Sequence, residues 1–443
     1  MTLNGPDLHA HARRRRSLLE HFGESRSVLF VPGAPEAVYS NDVHYRYRPA
    51  SNIRYLSGFE EPAKLLLSRC GRDTDGFTLF VQPRDPAAET WTGRRAGVEG
   101  ARESYGADHA HDLDECYRVL EDRLRHADTF YFEFSRDPHV NERVMDVVRA
   151  VNRTRPRSGG DPLVVTEAAS LLDELRLVKQ SEEIAILGEA CAISAAAHCG
   201  YMESVRPGMF EYQVEALIEQ VFRDAGCAGP AYPTIAAGGD GATILHYTSN
   251  DKCLAAGTLL LVDAGGEYGG YCADITRTIP VDTAFSTAQA SLYDLVLAAQ
   301  LAAIDKVGPG NTYDDVHRAA LEVLVQGMID LKLLGGTAAE AIESESYKAY
   351  YMHGTSHWLG MDVHDVGSYR SDAGSRVLAP GMVLTVEPGI YVKADSDAPE
   401  HLRGTGIRIE DDVLVTADGH DVLTAAAPKA REEIEAIRRK ALR

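Results

Sequence analysis

Two acidic residues stand at the ends of apolar strands on either side of a glycine-containing turn. Asp263 closes the apolar run 259–262, Asp274 precedes the strand-like segment 275–279, and the turn is predicted over 267–270. Counting outward from that turn places the two carboxylates opposite each other in an antiparallel pair. Like charges directly opposed destabilise a sheet. Either one carboxyl group holds a proton or a cation lies between them, so the fold has to assemble strands around a charged centre.

A second acidic pair repeats this arrangement further along the chain. Glu387 ends the predicted strand 383–386, and Glu410 follows the segment 407–409. Arg408 and Glu410 are predicted to share one face of their strand, and an arginine–carboxylate pair would account for Glu410 but not for Glu387. Four acids borne on strands need about two divalent cations for neutrality, and sites with two metal ions commonly activate a water molecule.

Histidines form the third element of the candidate site. His353, His357 and His364 lie within 12 residues of one another, and His246 stands alone in an apolar segment. A single histidine is more often structural than a metal ligand. Beside four acids, at least one of them is predicted to bind metal. Mixed carboxylate and imidazole ligation suits Mn²⁺, Co²⁺ or Zn²⁺ better than Mg²⁺ or Ca²⁺.

The charge and cysteine content of the chain restrict its partners and its location. The formal net charge is −21, which argues against a nucleic-acid partner because a phosphate backbone requires a basic face. No apolar run approaches the length of a membrane span and no signal peptide is predicted, so we expect a cytoplasmic protein with no membrane partner. The arginines at 13–16 are predicted to form one solvated helix face. Free thiols are expected at Cys70, Cys116, Cys191, Cys199, Cys227, Cys253 and Cys272.

Two regions of different sequence texture predict two domains. Up to about residue 161, short apolar strands alternate with helical patterns, which is typical of an α/β layer domain. The polar segment 154–162, rich in proline and glycine, interrupts this pattern. Ser181 is then a predicted N-cap, with acidic residues in the first turn of the helix that follows. We place the domain boundary near 173.

The resulting domains are 1–173 and 174–443. The second has predicted helices near 285–307 and 313–333 together with antiparallel strands, which indicates an α+β domain.

Several common catalytic signatures are missing, namely HExxH, GxxxxGK[ST], GxGxxG and GxSxG. The candidate residues instead resemble the five metal ligands of the proline-specific pita-bread metallopeptidases, the family of aminopeptidase P and Xaa-Pro dipeptidase (prolidase). The motifs that carry the resemblance are Val-Asp-Ala-Gly-Gly-Glu-Tyr at Asp263, Asp-Ile-Thr-Arg-Thr at Asp274, His-Gly-Thr-Ser-His-Trp-Leu-Gly at His357, Thr-Val-Glu-Pro-Gly-Ile-Tyr at Glu387 and Gly-Ile-Arg-Ile-Glu-Asp-Asp at Glu410.

The resemblance covers nearly the whole chain. Segments 52–59 and 89–95 are similar to the N-terminal domain of that family. The resemblance therefore implies an α/β, creatinase-like N-terminal domain followed by an α+β pita-bread catalytic domain.

The family also implies a role for each matching position. Asp263 would chelate one of two divalent metal ions, Asp274 and Glu410 would bridge both, and His357 and Glu387 would complete the other. His246 and His364 would bind substrate, stabilise the tetrahedral intermediate or shuttle protons, and Glu387 could accept a proton from water. The remaining implied substrate-binding residues are His353, Tyr232, Arg408 and, at N-terminal positions that can reach an active site across a subunit interface, Trp91 and Asp42.

The reaction implied by this resemblance is hydrolysis of the Xaa-Pro bond at a peptide N-terminus by a hydroxide that bridges two metal ions. Mn²⁺ is the preferred metal, with Co²⁺ or Zn²⁺ as alternatives, and a homodimer or homotetramer is expected. The short segment 368–378 favours aminopeptidase P over a strict Xaa-Pro dipeptidase. Three further alternatives, methionine aminopeptidase, metal-free creatine-type amidine hydrolysis and a non-catalytic binding module, are disfavoured by the full N-terminal domain or the intact ligand set.

Overall fold

The computed structural model describes residues 7–135, 137–158 and 160–443. It divides into an N-terminal unit that ends at Leu175 and a C-terminal unit, Arg176–Arg443. The break falls slightly after the boundary expected near 173. A helix, Ala169–Leu177, runs through this part of the chain, so no extended linker marks the division.

The N-terminal unit is built on a sheet of six strands in the order β6-β5-β4-β1-β7-β8. Its helices are α1 Leu8–Phe22, α2 Ser51–Ser57, α3 Pro86–Thr92, α4 Gly97–Glu103, α5 Cys116–Leu124, α6 Pro138–Thr154 and α7 Ala169–Leu177, and its strands are β1 Ser27–Val31, β2 Val38–Ser40, β3 Val43–His44, β4 Ala63–Arg69, β5 Gly76–Val81, β6 His109–Asp112, β7 Thr129–Phe132 and β8 Val164–Glu167. Strand β1 pairs antiparallel with β4 and parallel with β7, and apolar residues of α5 and α6 pack on the sheet. The predicted α/β layer domain is confirmed.

The arginine run of α1 is solvated only in part: Arg13 and Arg16 are exposed, as expected, whereas the two arginines between them are not. Arg14 and Arg15 are buried. The Arg14 guanidinium donates to the carbonyl oxygen of Tyr55 at 3.0 Å, and the Arg15 guanidinium donates to that of Leu56 at 2.6 Å. Both carbonyls belong to the last turn of α2, where a helix lacks internal donors and attracts cations. Sequence pattern alone could not reveal this partner.

The C-terminal unit packs long helices around several short antiparallel sheets. Its helices are α8 Ser181–Ser204, α9 Glu211–Asp224, α10 Thr287–Ile304, α11 Tyr313–Asp330, α12 Ala338–Glu343 and α13 Arg431–Ala441, and its strands are β9 Gly229–Pro230, β10 Ile235–Gly238, β11 Leu259–Asp263, β12 Gly266–Tyr268, β13 Tyr271–Cys272, β14 Thr276–Pro280, β15 Arg370–Ser371, β16 Gly374–Ser375, β17 Val383–Val386, β18 Gly389–Val392, β19 Thr405–Arg408, β20 Asp411–Val415 and β21 His420–Val422. The sheets that matter for the site are β10-β11-β14, β17-β20-β21 and β18-β19.

Helix α8 lies in the core of this unit. Among the described helices it is the one with the length and mean hydropathy of a membrane span, and half of that stretch is buried inside the protein. Leu187, Tyr201 and Met202 are among its buried side chains. The helix begins one residue earlier than expected, because Gln180 is the N-cap and its N–H donates to the Glu183 carboxylate at 3.1 Å.

The register of β11 and β14 differs from the expected one. Asp263 lies opposite Thr276 rather than opposite Asp274. The turn of the inner hairpin is centred on Gly269 and Gly270, whose φ angles of 57° and 83° suit a two-residue hairpin turn. Moving the turn centre along the chain in this way shifts the facing residue by two positions. Asp274 therefore sits diagonally from Asp263, still on the same side of the strand pair.

Candidate metal centre

One cavity of about 450 Å³ in the C-terminal unit collects most of the residues singled out by the sequence. The predicted site residues among its lining are Tyr232, His246, Asp263, Asp274, His353, His357, His364, Glu387, Arg408 and Glu410. The side chains of Pro233, Ile235, Leu245 and Val363 provide an apolar wall. The cavity thus combines a charged floor with an aliphatic side, as small-molecule and peptide sites commonly do.

Strand ends deliver the acids to this cavity. Asp263 is the last residue of β11, and Asp274 lies just before β14. Glu387 directly follows β17, and Glu410 lies between β19 and β20. The N–H of Glu410 donates to the carbonyl of Thr276 on β14 at 3.1 Å, which ties the second acidic pair to the first.

His357 joins the acids through backbone pairing with β17. Its N–H donates to the Thr385 hydroxyl at 3.1 Å, and the Thr385 N–H donates to its carbonyl at 3.0 Å. This places the imidazole Nε2 3.4 Å from a carboxylate oxygen of Asp274 and 3.7 Å from one of Glu387. One donor atom each from Asp274, His357 and Glu410 lies within 4.8 Å of the others. Such a set of oxygen and nitrogen donors is suited to a divalent cation.

Three carboxyl groups at this centre have raised pKa values, because they are buried close to one another. Burial raises the pKa of Glu387 to about 7, and the negative charge of Asp274 adds to that effect against His357 and Arg408. Burial and the charges of Asp274 and Glu387 raise the pKa of Glu410 far above its usual range. Burial, followed by the charge of Asp263, also raises the pKa of Asp274. Bound cations would remove this penalty, so the donor set fits divalent metal ions.

The pKa of the His357 imidazole is also raised, but for a different reason. Burial opposes its protonation, but hydrogen bonding to Asp274 and the charge of Glu387 outweigh burial and raise its pKa to about 9. When no cation is bound, the His357 imidazole is therefore protonated near pH 7. A metal ligand has to be neutral imidazole, so binding of a metal ion at His357 releases that proton.

Arg408 pairs with Asp263 and not with Glu410, which corrects the pair considered from the sequence. Its Nη2 lies 2.5 Å from an Asp263 carboxylate oxygen. It also donates to the Tyr391 hydroxyl and the Thr276 hydroxyl, both at 3.0 Å. The prediction that Arg408 shares a strand face with Glu410 placed it correctly at the cavity. Its ion-pair partner, however, lies on a strand far away in sequence.

Tyr232 touches both acids of the first pair. Its hydroxyl donates to Asp263 at 2.6 Å and lies 2.5 Å from an oxygen of Asp274. Burial and these two negative charges raise its pKa far above the usual range, so it stays a hydrogen-bond donor. It bridges the carboxylates where the sequence predicted a cation or a proton.

The other histidines differ in how they are held. His353 bonds through Nε2 to the Tyr391 hydroxyl at 2.8 Å, and burial, followed by the charge of Arg408, lowers its pKa to about 4. The ring of His364 meets the ring of His357 edge to face at 4.4 Å between centroids. Burial, followed by the neighbouring His357 and His246, lowers the pKa of His364. Both rings are therefore neutral near pH 7 and able to exchange a proton.

Some residues that shape the centre were not predicted. Asp412 accepts hydrogen bonds from the backbone N–H of Asp274 at 2.9 Å and from the thiol of Cys191 at 3.3 Å. Asp411 pairs at 2.6 Å with Arg277, which is fully buried. The signal was present in the sequence, because these two acids interrupt an otherwise apolar strand directly after Glu410.

Asp42 and Trp91 lie in the N-terminal unit. Asp42 is exposed in the turn that joins β2 and β3, and Trp91 on α3 is 89% exposed. Their expected reach across a subunit interface stays a prediction. All seven cysteines are unpaired thiols, as the sequence predicted.

This fold and this centre define a two-domain metallohydrolase. Residues 185–417 match the family described as metallopeptidase family M24, and residues 11–131 match the aminopeptidase P N-terminal domain. The chain belongs to the M24 metallopeptidase family, and within it to the aminopeptidase P group, so the resemblance seen in the motifs is confirmed. It is a hydrolase that acts on peptides, has the pita-bread catalytic fold and uses divalent metal ions.

Similarity to known proteins extends over the full length. The Xaa-Pro aminopeptidase of Escherichia coli (strain K12) is 40% identical over 426 residues, which is 96% of both chains. The structure of Pseudomonas aeruginosa aminopeptidase PepP is 42% identical, covers 99% of both chains and superimposes with a TM-score of 0.94. A zinc-substituted aminopeptidase P from E. coli in complex with product is 40% identical, covers 99% of both chains and has a TM-score of 0.93.

Proposed function

We propose that the protein is an Xaa-Pro aminopeptidase that removes the first residue from peptides with proline in second position. The observation that carries this proposal is the convergence of Asp263, Asp274, His357, Glu387 and Glu410 on one cavity in a chain with Xaa-Pro aminopeptidase relatives. These five residues would hold two divalent ions. When bound, the ions would polarise the scissile carbonyl and lower the pKa of the attacking water.

Recognition of the peptide is assigned to two parts of the cavity, its acidic floor and the side that would hold the proline ring. The free α-amine of the substrate is a cation, and it would lie against the acidic floor near Asp263 and Tyr232. His353 and Arg408, which share the Tyr391 hydroxyl, would line the proline side. An Xaa-Pro bond has no amide N–H, so the site has to recognise the ring and the carbonyl rather than that donor.

Proton transfer is assigned to Glu387 and His364, and stabilisation of the intermediate is assigned to His246. Glu387 would accept a proton from the attacking water. The leaving proline nitrogen is a secondary amine that has to be protonated, and His364 is the proposed donor, which would pass on to that nitrogen the proton that Glu387 takes from the water. His246 lines the same cavity and would stabilise the tetrahedral intermediate by hydrogen bonding.

Mn²⁺ is the metal we propose, with Co²⁺ or Zn²⁺ as alternatives. Four carboxylates beside a single imidazole form a mainly oxygen donor set, which Mn²⁺ tolerates well. The similarity to a zinc-substituted aminopeptidase P supports zinc as an ion that such a donor set can also accept.

We further propose a cytoplasmic homodimer or homotetramer. Four of the exposed large apolar side chains of the N-terminal unit lie on or directly beside the hairpin of β2 and β3, at Val38, Tyr39, Val43 and Tyr45, and Trp91 on α3 is exposed as well. Exposed apolar side chains of this kind on a hairpin are typical of protein–protein contacts. Unpaired cysteines support a reducing compartment.

A set of three peptides tests the function directly. Purified protein loaded with Mn²⁺ should release glycine from Gly-Pro-Leu faster than from the dipeptide Gly-Pro, while Gly-Ala-Leu should stay uncut. Each product is measured by chromatography, with a metal-chelated sample as control. Cleavage of Gly-Pro alone would instead indicate a strict dipeptidase, and cleavage of neither proline peptide would refute the proposal.

A further inference from the structure

A cluster of buried ions outside the cavity holds the segment that carries His364. The carboxylate of the next residue, Asp365, is 1% exposed. One of its oxygens accepts from Arg176 Nη2 at 2.5 Å, and the other accepts from Lys179 Nζ at 3.0 Å. Arg176 Nη2 also lies 2.7 Å from a carboxylate oxygen of Asp362. Two cations from the start of the C-terminal unit therefore fix the segment just before and just after His364.

The backbone around this cluster is closely packed. The N–H of Asp365 donates to the carbonyl of Trp358 at 2.9 Å, and the N–H of Gly360 donates to that of Asp362 at 3.2 Å. A Cβ atom at Gly360 would lie 2.1 Å from a carboxylate oxygen of Asp365 and 2.9 Å from Lys179 Cε. Only glycine fits at 360 while Asp365 keeps its two cationic partners.

The side chain of His364 has no comparable anchor of its own. Among the residues that the structure describes, it makes an edge-to-face contact with His357 and no hydrogen bond. A proton donor has to be free to exchange its proton, so its position depends on the backbone that carries it. That backbone is set by Asp365.

Stability alone does not account for this cluster. A buried ion pair is expensive to desolvate, and apolar side chains of similar size in its place are often as stable. The cluster does, however, define one geometry for the segment, because Arg176 and Lys179 approach the two oxygens of Asp365 from fixed positions.

We propose that Arg176, Lys179 and Asp365 act as a positioning cluster that holds His364 at the place from which it protonates the leaving nitrogen. This rests on the proposed function, in which His364 is that donor. The cluster acts through His364 and does not itself touch the substrate.

The test compares Asp365→Asn in two backgrounds, the natural sequence and His364→Ala, with Gly-Pro-Leu as substrate and saturating Mn²⁺. In the natural background we expect kcat to fall by about 100-fold, since a misplacement of about 1 Å has that effect on catalysis. KM should change by less than about threefold, because ground-state binding is untouched. In the His364→Ala background the same change should alter kcat by less than about threefold, since no imidazole is left to position.

A matched control removes a different buried cation. Arg438 is fully buried and donates to the carbonyls of Met202 and Val281, both at 2.6 Å. Arg438→Met should lower the melting temperature with kcat unchanged. Metal content and melting temperature are measured for every variant, so a loss of fold or of metal is seen separately from a loss of positioning.

The outcomes separate this inference from the proposed function. If the natural protein and Arg438→Met cleave Gly-Pro-Leu but Asp365→Asn keeps full kcat, the positioning role is wrong and the function stands. An equal loss in both backgrounds also overturns it, because the effect would not pass through His364. If Asp365→Asn does not fold, Lys179→Met is compared in the same two backgrounds and judged by the same criteria.

Discussion

At the scale of single residues, the pKa of each side chain at the metal centre depends on burial and on its charged neighbours more than on its residue type. Glu387 has a pKa near 7 while His357, which lies 3.7 Å away, has one near 9, so a carboxyl group and an imidazole both hold protons more tightly than they would in water. Burial raises the first, and neighbouring carboxylates raise the second. Bound cations take over the role of these protons, so metal affinity has to rise with pH across this range.

Asp274→Asn tests whether the first acid pair is needed for metal binding. The change removes one negative charge from a donor set shared with His357 and Glu410. We expect metal affinity to weaken by at least about tenfold, because even the loss of a group behind a ligand has that effect. Metal content after dialysis, measured by elemental analysis, provides the readout.

Asp421→Asn is the matched control, since Asp421 is an exposed acid on β21 in the same unit. It should bind metal like the natural protein. Equal metal content in both variants would count against Asp274 as a ligand.

At the scale of elements, the apolar strands were readable from the sequence and their long-range partners were not. β11 and β17 have the predicted bounds, and β14 is displaced from expectation by one residue, because runs of buried aliphatic residues define a strand locally. The register of β11 with β14 was displaced by two residues, since it depends on which glycines form the turn. The partner of Asp365 is 189 residues away, and no local pattern could identify it.

The contact between α1 and α2 predicts a dependence of stability on pH. Burial, followed by the charges of the nearby arginines and against its hydrogen bond to the Tyr55 carbonyl, lowers the pKa of His11 from 6.5 to about 4. The unfolded chain therefore binds more protons between these values. The contribution of neutral His11 to the free energy of unfolding is fully present above pH 6.5. It is lost as the pH falls toward 4, by up to about 3 kcal/mol.

Hydrogen exchange of the α1 and α2 amides at pH 7 and pH 5 measures this loss. In His11→Gln the difference in protection between the two pH values should shrink by the part that protonation of His11 causes, because glutamine does not titrate. His21→Gln, a change at a partly exposed histidine near the end of the same helix, is the control and should leave the pH dependence as it is. An unchanged pH dependence in His11→Gln would show that other groups are responsible.

At the scale of the whole molecule, the exposed apolar hairpin of the N-terminal unit is where assembly can be tested. Tyr39 and Tyr45 pack edge to face at 4.9 Å between ring centroids, yet each has more than half of its surface exposed. Clustered exposed apolar side chains of this kind are typical of protein–protein interaction sites. The proposed homo-oligomer would cover this pair.

Tyr39→Ser should weaken self-association by about tenfold, which corresponds to about 1.4 kcal/mol. Sedimentation velocity over a concentration series measures the dissociation constant. Leu301→Ser removes a side chain on α10 that is 50% exposed, and it should assemble like the natural protein. A monomeric natural protein, or equal assembly of Tyr39→Ser, would place the interface elsewhere or remove it.

The way in which β19 and β20 return to β14 also bears on biosynthesis. A ribosome delivers Asp263, Asp274 and His357 well before it delivers Glu410, and only the last of these closes the centre through its backbone bond to Thr276. Until then the growing polypeptide carries an incomplete set of donors. Translation therefore completes most of the catalytic unit before all five donors are present, so a metal centre that uses all five has to form after β19 has been synthesised.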